Sequence, residues 1–243
     1  MKACILQPNY IPWIGYFELI NFSDAFIFLD DVQYTKRDWR NRNYINFKDS
    51  KYLLSIPVIT KGKFNQKINQ VNFLDRKFKQ KHLQLIKNAY CRSEYFEEIF
   101  NILEFAYNFN DNNLLSNFNI NLIEIFSKYL KLKTKFFKSS DFGINLKSNK
   151  KLVEICKKIN ADIYISGKKA LNYLDEDVFK KENIKLKIID YKKQKNYIVS
   201  ESSFINKLSI LDLLFNQGPN SYKYLQKLEV YSYQDFLKNN FKV

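Results

Sequence analysis

The first thirty residues place the strongest constraint on the fold, because two apolar runs flank a proline-containing turn and a helical pattern. Residues 3–6 and 25–29 are continuous apolar runs, as expected of strands that are buried on both faces. Pro12 suits the first turn of a helix, where its missing N–H costs nothing, and apolar residues recur at helical spacing from 13 to 20. Two strands joined by one helix predict a βαβ unit with a parallel strand pair.

The rest of the chain predicts one α/β domain that spans residues 1–243 and contains a helical insertion. Residues 51–60 predict a strand interrupted by Pro57, which suits the edge of a sheet. Helical spacing dominates over the range 74–140, and strand and helix patterns alternate again after residue 151. We therefore predict a Rossmann-like parallel sheet with a helical middle or lid segment.

The formal net charge of +15 arises from 40 basic and 25 acidic residues. The first fifty residues hold six basic and six acidic side chains, so the excess of positive charge lies in the remainder of the chain. We interpret this excess mainly as a solvated lysine surface. A field that attracts a phosphorylated ligand and a nucleic-acid surface are the alternatives.

The cysteine and histidine content argues against a metal site or a disulfide framework. Cys4, Cys91 and Cys156 are widely spaced and odd in number, which indicates reduced thiols in a cytoplasmic protein. His82 is the single histidine, so no zinc site is expected, and we predict neither another metal nor a cofactor. No apolar run approaches twenty residues, so we expect no membrane span.

Two polar segments, residues 7–10 and 30–34, lie at the expected carboxyl ends of the first two strands, where parallel sheets bind ligands. We expect Gln7 and Asn9 to fix polar groups of a ligand, and either Tyr10 or Trp39 to stack on a base or a sugar. Gln33 belongs to the second segment and is a further candidate for binding the ligand.

Arginine is concentrated just after the second segment. Arg37, Arg40 and Arg42 are three of only five arginines in the chain. A guanidinium offers a planar fork that pairs bidentately with phosphate or carboxylate, which lysine cannot do. We therefore favour an anion site, and the alternative is a surface turn whose arginines pair with nearby aspartates. The candidate binding residues in this segment are Lys36, Arg37, Trp39, Arg40 and Asn41.

Three residues are candidates for acid–base chemistry. Asp30 and Asp31 follow the second strand, and we do not expect them to form a dyad because neighbouring strand residues point to opposite faces. One would act as a base, bind Mg²⁺ or accept sugar hydroxyls while the other orients an arginine, and a structural turn is the alternative. His82 lies on an apolar helical stripe. It is either a hydrogen-bonded core residue or a base suited to neutral pH.

Ser166 and Gly167 follow a predicted strand near the end of the α/β alternation. They are candidates for binding an anion at a helix N-terminus. The glycine spacing of a phosphate-binding loop is missing, so a plain glycine turn is the alternative.

Four stretches together resemble the WbqC-like family and occur in its order along nearly the whole chain. They are LQPNYIPWIGYFELI, FLDDVQYTKRDWRNRN, KHLQLIKNAYCRSEYFEEIF with YISGKKALNYL, and LSILDLLFNQG. The resemblance implies a role in bacterial O-antigen, capsule or other glycan assembly. It marks the following positions: Gln7, Pro8, Asn9, Asp30, Asp31, Gln33, Arg37, Arg40, Asn41, His82 and Gly167. The opening unit also resembles nucleotidylyltransferase-type folds, including pantothenate synthetase, but their paired-histidine motif is absent after Pro12.

We carry forward two classes of function from these observations. The first is a transferase that moves an acyl or aminoacyl group onto the amino group of a nucleotide-linked amino sugar, with Lys36, Arg37 and Arg40 on the diphosphate and His82 or Asp31 as base. The donor would be a CoA thioester, a charged tRNA or an activated amino acid, attacked directly because no serine or cysteine nucleophile constellation is visible. The second is a non-catalytic module for an anionic glycan, lipid or nucleic acid. A glycosyltransferase that uses the two aspartates is a further alternative.

Overall fold

The computed structural model describes residues 1–109, 112–191, 196–199, 203–225 and 228–240. Eight strands and eight α-helices are assigned within these ranges. In chain order they are β1 (Lys2–Leu6), α1 (Ile14–Phe22), β2 (Ala25–Phe28), β3 (Arg42–Phe47), β4 (Ser50–Ser55), α2 (Lys77–Tyr90), α3 (Phe96–Asn108), α4 (Leu115–Tyr129), β5 (Lys135–Lys138), α5 (Ser148–Lys158), β6 (Ile163–Gly167), α6 (Glu176–Lys180), β7 (Lys185–Asp190), α7 (Ile210–Gln217), β8 (Glu229–Ser232) and α8 (Tyr233–Asn240).

Six of the strands form a mixed sheet in the order β5-β2-β1-β6-β7-β8. All neighbouring pairs are parallel except the last, β7 with β8, which is antiparallel. Counted along the chain within this sheet, the strand order is 3-2-1-4-5-6, which is the Rossmann order. The chain therefore has the Rossmann-like α/β fold that the sequence predicts. The direction of winding reverses between β1 and β6, so the crevice of this fold lies beyond Leu6 and Gly167.

The two faces of the sheet are covered by different helices. Cys4 of β1 packs into a large core with α1, α2, α3, α4 and α7. Its neighbours Ala3 and Ile5 pack into a second core with α5, α6 and α8. Side chains of one strand alternate between faces, so the continuous apolar run of β1 is explained by burial on both sides.

The turn into α1 depends on a close approach between Trp13 and Gly15. A Cβ atom at Gly15 would lie 2.4 Å from carbon atoms of the Trp13 ring, which is too close for any side chain. The Trp13 ring also contacts the ring of Tyr191, which follows β7, with centroids 5.1 Å apart. The indole thus covers the start of α1 at the reversal point of the sheet.

The middle of the chain differs in two respects from the expected pattern. The helices end at Tyr129, and β5 lies inside the range 74–140 for which we expected helices. β5 is an edge strand of the main sheet, paired with β2. The strand expected over residues 51–60 is β4, and it pairs with β3 in a separate antiparallel hairpin instead of joining the main sheet.

Candidate functional site

The loop after β1 and the arginine-rich segment meet directly at the carboxyl edge of the sheet. The backbone N–H of Tyr10 donates to the carbonyl oxygen of Trp39 at 3.0 Å. The side-chain amide of Asn43 donates to the carbonyls of Tyr10 and Ile11, at 3.2 and 2.8 Å. Ile11 has a φ of +34°, an unfavourable conformation for a β-branched residue, and the Asn43 hydrogen bond holds it there.

Asn119 of α4 forms hydrogen bonds with both of these segments. Its Nδ2 atom donates to the carbonyl oxygen of Pro8 at 3.0 Å and to that of Arg40 at 2.7 Å. Asn119 is completely buried, and the sequence reasoning missed it. One feature of the sequence could have indicated it: Asn119 is a polar residue within the apolar stripe of α4, between Phe118 and Leu122. We call the group Pro8, Asn9, Arg40, Asn41 and Asn119 the amide junction.

Arg40 is turned inward, and only 8% of it is exposed. Its Nη1 atom forms an ion pair with Asp38 at 2.8 Å. Burial lowers the pKa of Arg40, whereas Asp38, Tyr16 and Tyr34 act in the opposite direction. The guanidinium thus lies near both tyrosines.

Gln7 reaches this group through Tyr16. The Tyr16 hydroxyl donates to the carbonyl oxygen of Gln7 at 3.0 Å. Burial raises the pKa of Tyr16, and the charge of Arg40 lowers it. Because Tyr16 is near Arg40 and bonded to Gln7, the two predicted walls of the site lie on the same side of the sheet.

The other members of the arginine-rich segment face outward. Lys36, Arg37 and Trp39 are exposed, and 43% of Trp39 is accessible to solvent. Arg37 adopts a φ of +57°, and its carbonyl oxygen accepts a hydrogen bond from the Arg42 guanidinium. The segment therefore combines one buried guanidinium with a rim of exposed cations and one indole.

Gln33 contacts the segment around residues 64–67. It is exposed, and its Nε2 atom donates to the carbonyl oxygen of Phe64 at 3.2 Å. Gln33 also forms an isolated antiparallel bridge with Lys67. These contacts give Gln33 a role in holding the segment around residues 64–67.

Asp30 and Asp31 converge on Ser139, contrary to the expectation that they point to opposite faces. The Ser139 hydroxyl lies 3.1 Å from Oδ1 of Asp30 and 2.5 Å from Oδ1 of Asp31. The alternation of a strand does not apply here, because β2 ends at Phe28. The backbone N–H and the hydroxyl of Ser140 also donate to Asp30, at 3.0 and 2.8 Å.

Lys151 of α5 completes this carboxylate cluster. Its Nζ atom lies 2.5 Å from Oδ2 of Asp31, and only 6% of Lys151 is exposed. The two aspartates thus connect the ends of β2 and β5 to α5. Among the described residues, no group of three or more histidine, cysteine, aspartate or glutamate side chains is arranged to hold a metal ion.

His82 contacts the hydroxyl end of the Tyr10 side chain. Its Nδ1 atom is 2.8 Å from the Tyr10 hydroxyl, which also bonds to the hydroxyl of Tyr107. Tyr10 is fully buried, so its ring is enclosed by protein and does not face the carboxyl edge, where we expected it to stack on a ligand. Burial lowers the pKa of His82 to about 4, and a hydrogen bond with the Ser55 backbone acts against this shift.

Ser166 and Gly167 lie at the end of β6. The Ser166 hydroxyl bonds to Tyr164, which packs in the core on the face of α5 and α6, opposite to α1. Gly167 precedes a five-residue 3-10 helix. A Cβ atom at Gly167 would find its nearest neighbour, in the Tyr191 ring, at 3.9 Å, so no close contact requires glycine there.

Two open grooves flank α2. The groove between α2 and α3 has a volume of about 500 Å³ and includes Lys79, Lys87 and Tyr107 in its lining. The groove between α2 and β4 has a volume of about 540 Å³ and includes Lys81 and His82. Neither groove is lined by the amide junction, which is closed to solvent at its buried atoms.

The fold and the edge site define a Rossmann-like α/β protein whose candidate ligand site lies beyond the carboxyl ends of β1 and β2. The chain belongs to the WbqC-like protein family, whose model matches residues 7–224. It is 37% identical over 225 residues to a Mycobacterium tuberculosis protein described as "Uncharacterized protein Rv1507c", covering 93% of this chain and 97% of that protein. No solved structure matches the chain. No helix in the described part of the chain is long and apolar enough to cross a membrane.

Proposed function

We propose that this chain is a transferase of bacterial surface-polysaccharide assembly that acts on a nucleotide-linked amino sugar. It binds the nucleotide sugar at the carboxyl edge of the sheet and transfers an acyl or aminoacyl group to the sugar's amino group. Membership of the WbqC-like family supports this choice of pathway. Nucleotide-linked sugars are cytoplasmic metabolites, so the proposal assigns the protein to the cytoplasm.

The contact of the β1 loop with the arginine-rich segment at the carboxyl edge of the sheet carries this proposal. Open α/β sheets bind nucleotides outside the carboxyl ends of their strands. Arg40 contributes a buried guanidinium, and Lys36 and Arg37 contribute exposed cations around it. Guanidinium groups suit the bidentate recognition of phosphate oxygens. The exposed indole of Trp39 offers a surface on which a base can stack.

The reaction is a direct attack of the sugar's neutral amino group on the carbonyl carbon of an activated donor. The new C–N bond forms as the C–S bond of a thioester or the C–O bond of an aminoacyl ester breaks. The proton lost from nitrogen leaves with the thiol or the alcohol. A positive charge disfavours a second positive charge nearby, so Arg40 would lower the pKa of the bound ammonium and favour the reactive amine.

The contacts of the candidate bases argue against their direct use in this step. Asp31 is paired with Lys151, and Asp30 accepts hydrogen bonds from the backbone N–H and the hydroxyl of Ser140. His82 is engaged with Tyr10 at the far end of that side chain. The glycosyltransferase alternative, which needs a free carboxylate, is weakened for the same reason. No specific contact favours a non-catalytic binding module.

Thermal stabilisation by nucleotide sugars tests the binding step. A bound ligand raises stability by RT ln(1 + [L]/Kd), so binding nucleotide sugars should raise the Tm of the wild-type protein. Arg40→Ala should lose most of this shift, and Arg40→Lys should recover only part of it because the fork is missing. Arg92→Ala is the matched control, because Arg92 is exposed just beyond α2. The proposal fails if no nucleotide sugar shifts Tm and RNA binds instead with strong salt dependence.

The donor is tested by a transfer assay with two arms. The protein is incubated with nucleotide-linked amino sugars and with either acyl-CoA or aminoacyl-tRNA. The mass of the sugar product is then determined by mass spectrometry. Acylated nucleotide sugar in one arm identifies the class of donor. Binding of the sugar without product in either arm would contradict the transferase assignment.

A further inference from the structure

The β3–β4 hairpin has one edge that points away from its own ladder at three positions of β4. Its two-residue turn, residues 48–49, has positive φ at both positions, as in a type I′ turn. The residues on either side of such a turn form a hydrogen-bonded pair, and hydrogen-bonded pairs recur at every second position of an antiparallel ladder. The backbone N–H and C=O groups of Lys51, Leu53 and Ser55 therefore point away from β3.

The neighbouring parts of the hairpin's edges are covered by other segments of the chain. On the outer edge of β3, the carbonyl oxygen of Tyr44 accepts a hydrogen bond from the backbone N–H of Ser209 at 2.8 Å. Just beyond β4, the carbonyl oxygen of Pro57 accepts one from the backbone N–H of Leu74 at 2.9 Å. The outer edge of β4 lies between these covered parts.

The outer edge of β4 is open to solvent over most of its length. At one end, the ring of His82 hydrogen-bonds to the backbone of Ser55. Among the described residues, none is hydrogen-bonded to the outward backbone groups of Lys51 and Leu53. Both residues are exposed. These groups repeat about every 6.8 Å along the strand, which matches the backbone of another extended chain. An exposed edge of this kind is a template for strand pairing.

Helix α2 turns this open edge into a groove. Lys77, Lys81 and Leu85 lie at i, i+4 and i+8 of α2, so they form one row along the helix. This row lines the open groove of about 540 Å³ between α2 and β4. From the strand, the groove is lined by Tyr52 and Leu53, each of which is 38% exposed. We call the outer edge of β4 together with this row of α2 the edge groove.

The charge of the edge groove selects an acidic occupant. Lys77 and Lys81 line it, and Lys51 extends from the strand. The acidic residue in the lining, Asp75, accepts a hydrogen bond from the backbone N–H of Lys77 at 2.8 Å and so caps α2. A second copy of this chain, paired through its own β4, would bring the same lysines into the groove. Like charges disfavour that pairing, whereas carboxylates on a partner strand are complementary.

We propose that the edge groove binds an extended acidic segment of a partner protein, which adds to β4 as a strand. Its backbone pairs with Lys51 and Leu53, and its side chains on one face lie against α2, with carboxylates near Lys77 and Lys81. In this mode of recognition, backbone hydrogen bonds supply affinity and alternate side chains supply specificity. The groove is separate from the nucleotide-sugar site proposed above, because the exposed cations and Trp39 of that site are not in its lining.

Selection of peptides tests the edge groove. A phage-displayed library of random nine-residue peptides is selected on the full chain, and enriched peptides are synthesised and measured by fluorescence polarisation. We expect enriched sequences in which apolar residues alternate with aspartate or glutamate. Leu53→Pro should abolish their binding, because proline removes the outward N–H but no hydrogen bond to β3. Lys81→Glu should weaken binding about fivefold. Lys87→Glu is the matched control, because Lys87 lies on the same helix but lines the other groove.

Amide hydrogen exchange followed by NMR tests the mode of binding. Exchange at Lys51 and Leu53 should slow when a selected peptide is bound, which a purely ionic contact with the lysines would not cause. Leu53→Pro is checked for folding by circular dichroism, and Lys81→Glu gives an independent measurement if that variant does not fold.

Four outcomes would overturn the proposal. They are a selection without enriched acidic peptides, equal affinity of the Lys81→Glu and Lys87→Glu proteins for the selected peptides, and unchanged amide exchange in the complex. The fourth is a wild-type dimer in analytical ultracentrifugation that Leu53→Pro converts to monomers, since a second copy would then occupy the edge.

Discussion

The phenol oxygen of Tyr10 lies 2.8 Å from Nδ1 of His82, and this contact connects the candidate site to the middle helices. Tyr10 is bonded through its backbone to Trp39 and through its side chain to His82 on α2 and Tyr107 on α3. Burial lowers the pKa of His82 to about 4, so the imidazole is neutral at neutral pH. We therefore assign His82 the role of fixing Tyr10, and through it the β1 loop.

Stability should depend on pH through His82. Between pH 4 and 6.5 the unfolded chain binds a proton at this histidine and the folded chain does not, so stability rises with pH across this window. The shift corresponds to roughly 3 kcal/mol between the two limits. Urea unfolding from pH 4.5 to 7.5 measures it, and His82→Gln should show a shallower slope. Equal slopes in the two proteins would contradict this role. If the His82→Gln protein had normal stability but no turnover, the result would support His82 as the catalytic base.

The ion pair between Lys151 and Asp31 should be important for stability. Lys151 is buried, and Lys151→Met would leave the Asp31 carboxylate without its cation. Breaking a buried pair in this way costs about 3–5 kcal/mol. Chemical denaturation measures the loss. Lys157→Met on the same helix is the control, because Lys157 is exposed and should remain close to wild type. A loss in Lys151→Met no larger than that of the control would show that the cluster is not a structural link.

Gly15→Ala should be destabilising although alanine is the better helix former. The new Cβ would lie 2.4 Å from the Trp13 ring, which must move away from the start of α1. Overpacking of this kind costs about 1–3 kcal/mol, more than the 0.5–1 kcal/mol that alanine contributes in a helix. Thermal unfolding measures the loss of stability, and tryptophan fluorescence reports the movement of the Trp13 ring. Gly167→Ala should be nearly neutral because its nearest neighbour is 3.9 Å away. Equal losses in both variants would contradict the explanation.

Asp212 on α7 should be more tolerant of asparagine than of alanine. It is fully buried, and its carboxylate accepts hydrogen bonds from Tyr90 at 3.1 Å and from Tyr197 at 2.5 Å. Burial raises the pKa of Asp212, and the two tyrosines partly offset this. Asp212→Ala leaves the O–H donors of two buried tyrosines without an acceptor, at a cost of about 1–3 kcal/mol each. Asp212→Asn keeps an acceptor and removes the charge. Chemical denaturation should therefore show that Asp212→Asn is more stable than Asp212→Ala.

The pKa shift of Asp212 also predicts a dependence on pH. Because the folded pKa is raised, the contribution of this group to stability is largest below its unfolded pKa and is lost as pH rises through the folded value. Asp212→Asn should lack this component when unfolding is followed from acid to neutral pH. A wild-type curve and an Asp212→Asn curve of identical shape would contradict the assignment.

The sequence alone was sufficient for the first βαβ unit and for the return of the α/β pattern after residue 151. These elements have continuous apolar runs or strong helical periodicity, which are local properties. β5 was not predicted, because its four residues, Lys135–Lys138, are too short to show a pattern. The β3–β4 hairpin was predicted only in part, since the partner of β4 depends on pairing and not on local propensity.

The sequence by itself determined which segments lie at the carboxyl edge, because the order of strands and helices places the loop after β1 and the segment after β2 there. Only the tertiary structure decided which side chains face the site. It turned Arg40 inward and Arg37 outward, enclosed Tyr10 between α2 and α3, and brought in Asn119 from α4. These choices depend on hydrogen bonds between residues far apart in the chain, such as Asn119 with Arg40. Local periodicity predicts whether a position is buried, but it does not predict which distant carbonyl will accept a hydrogen bond from a buried amide.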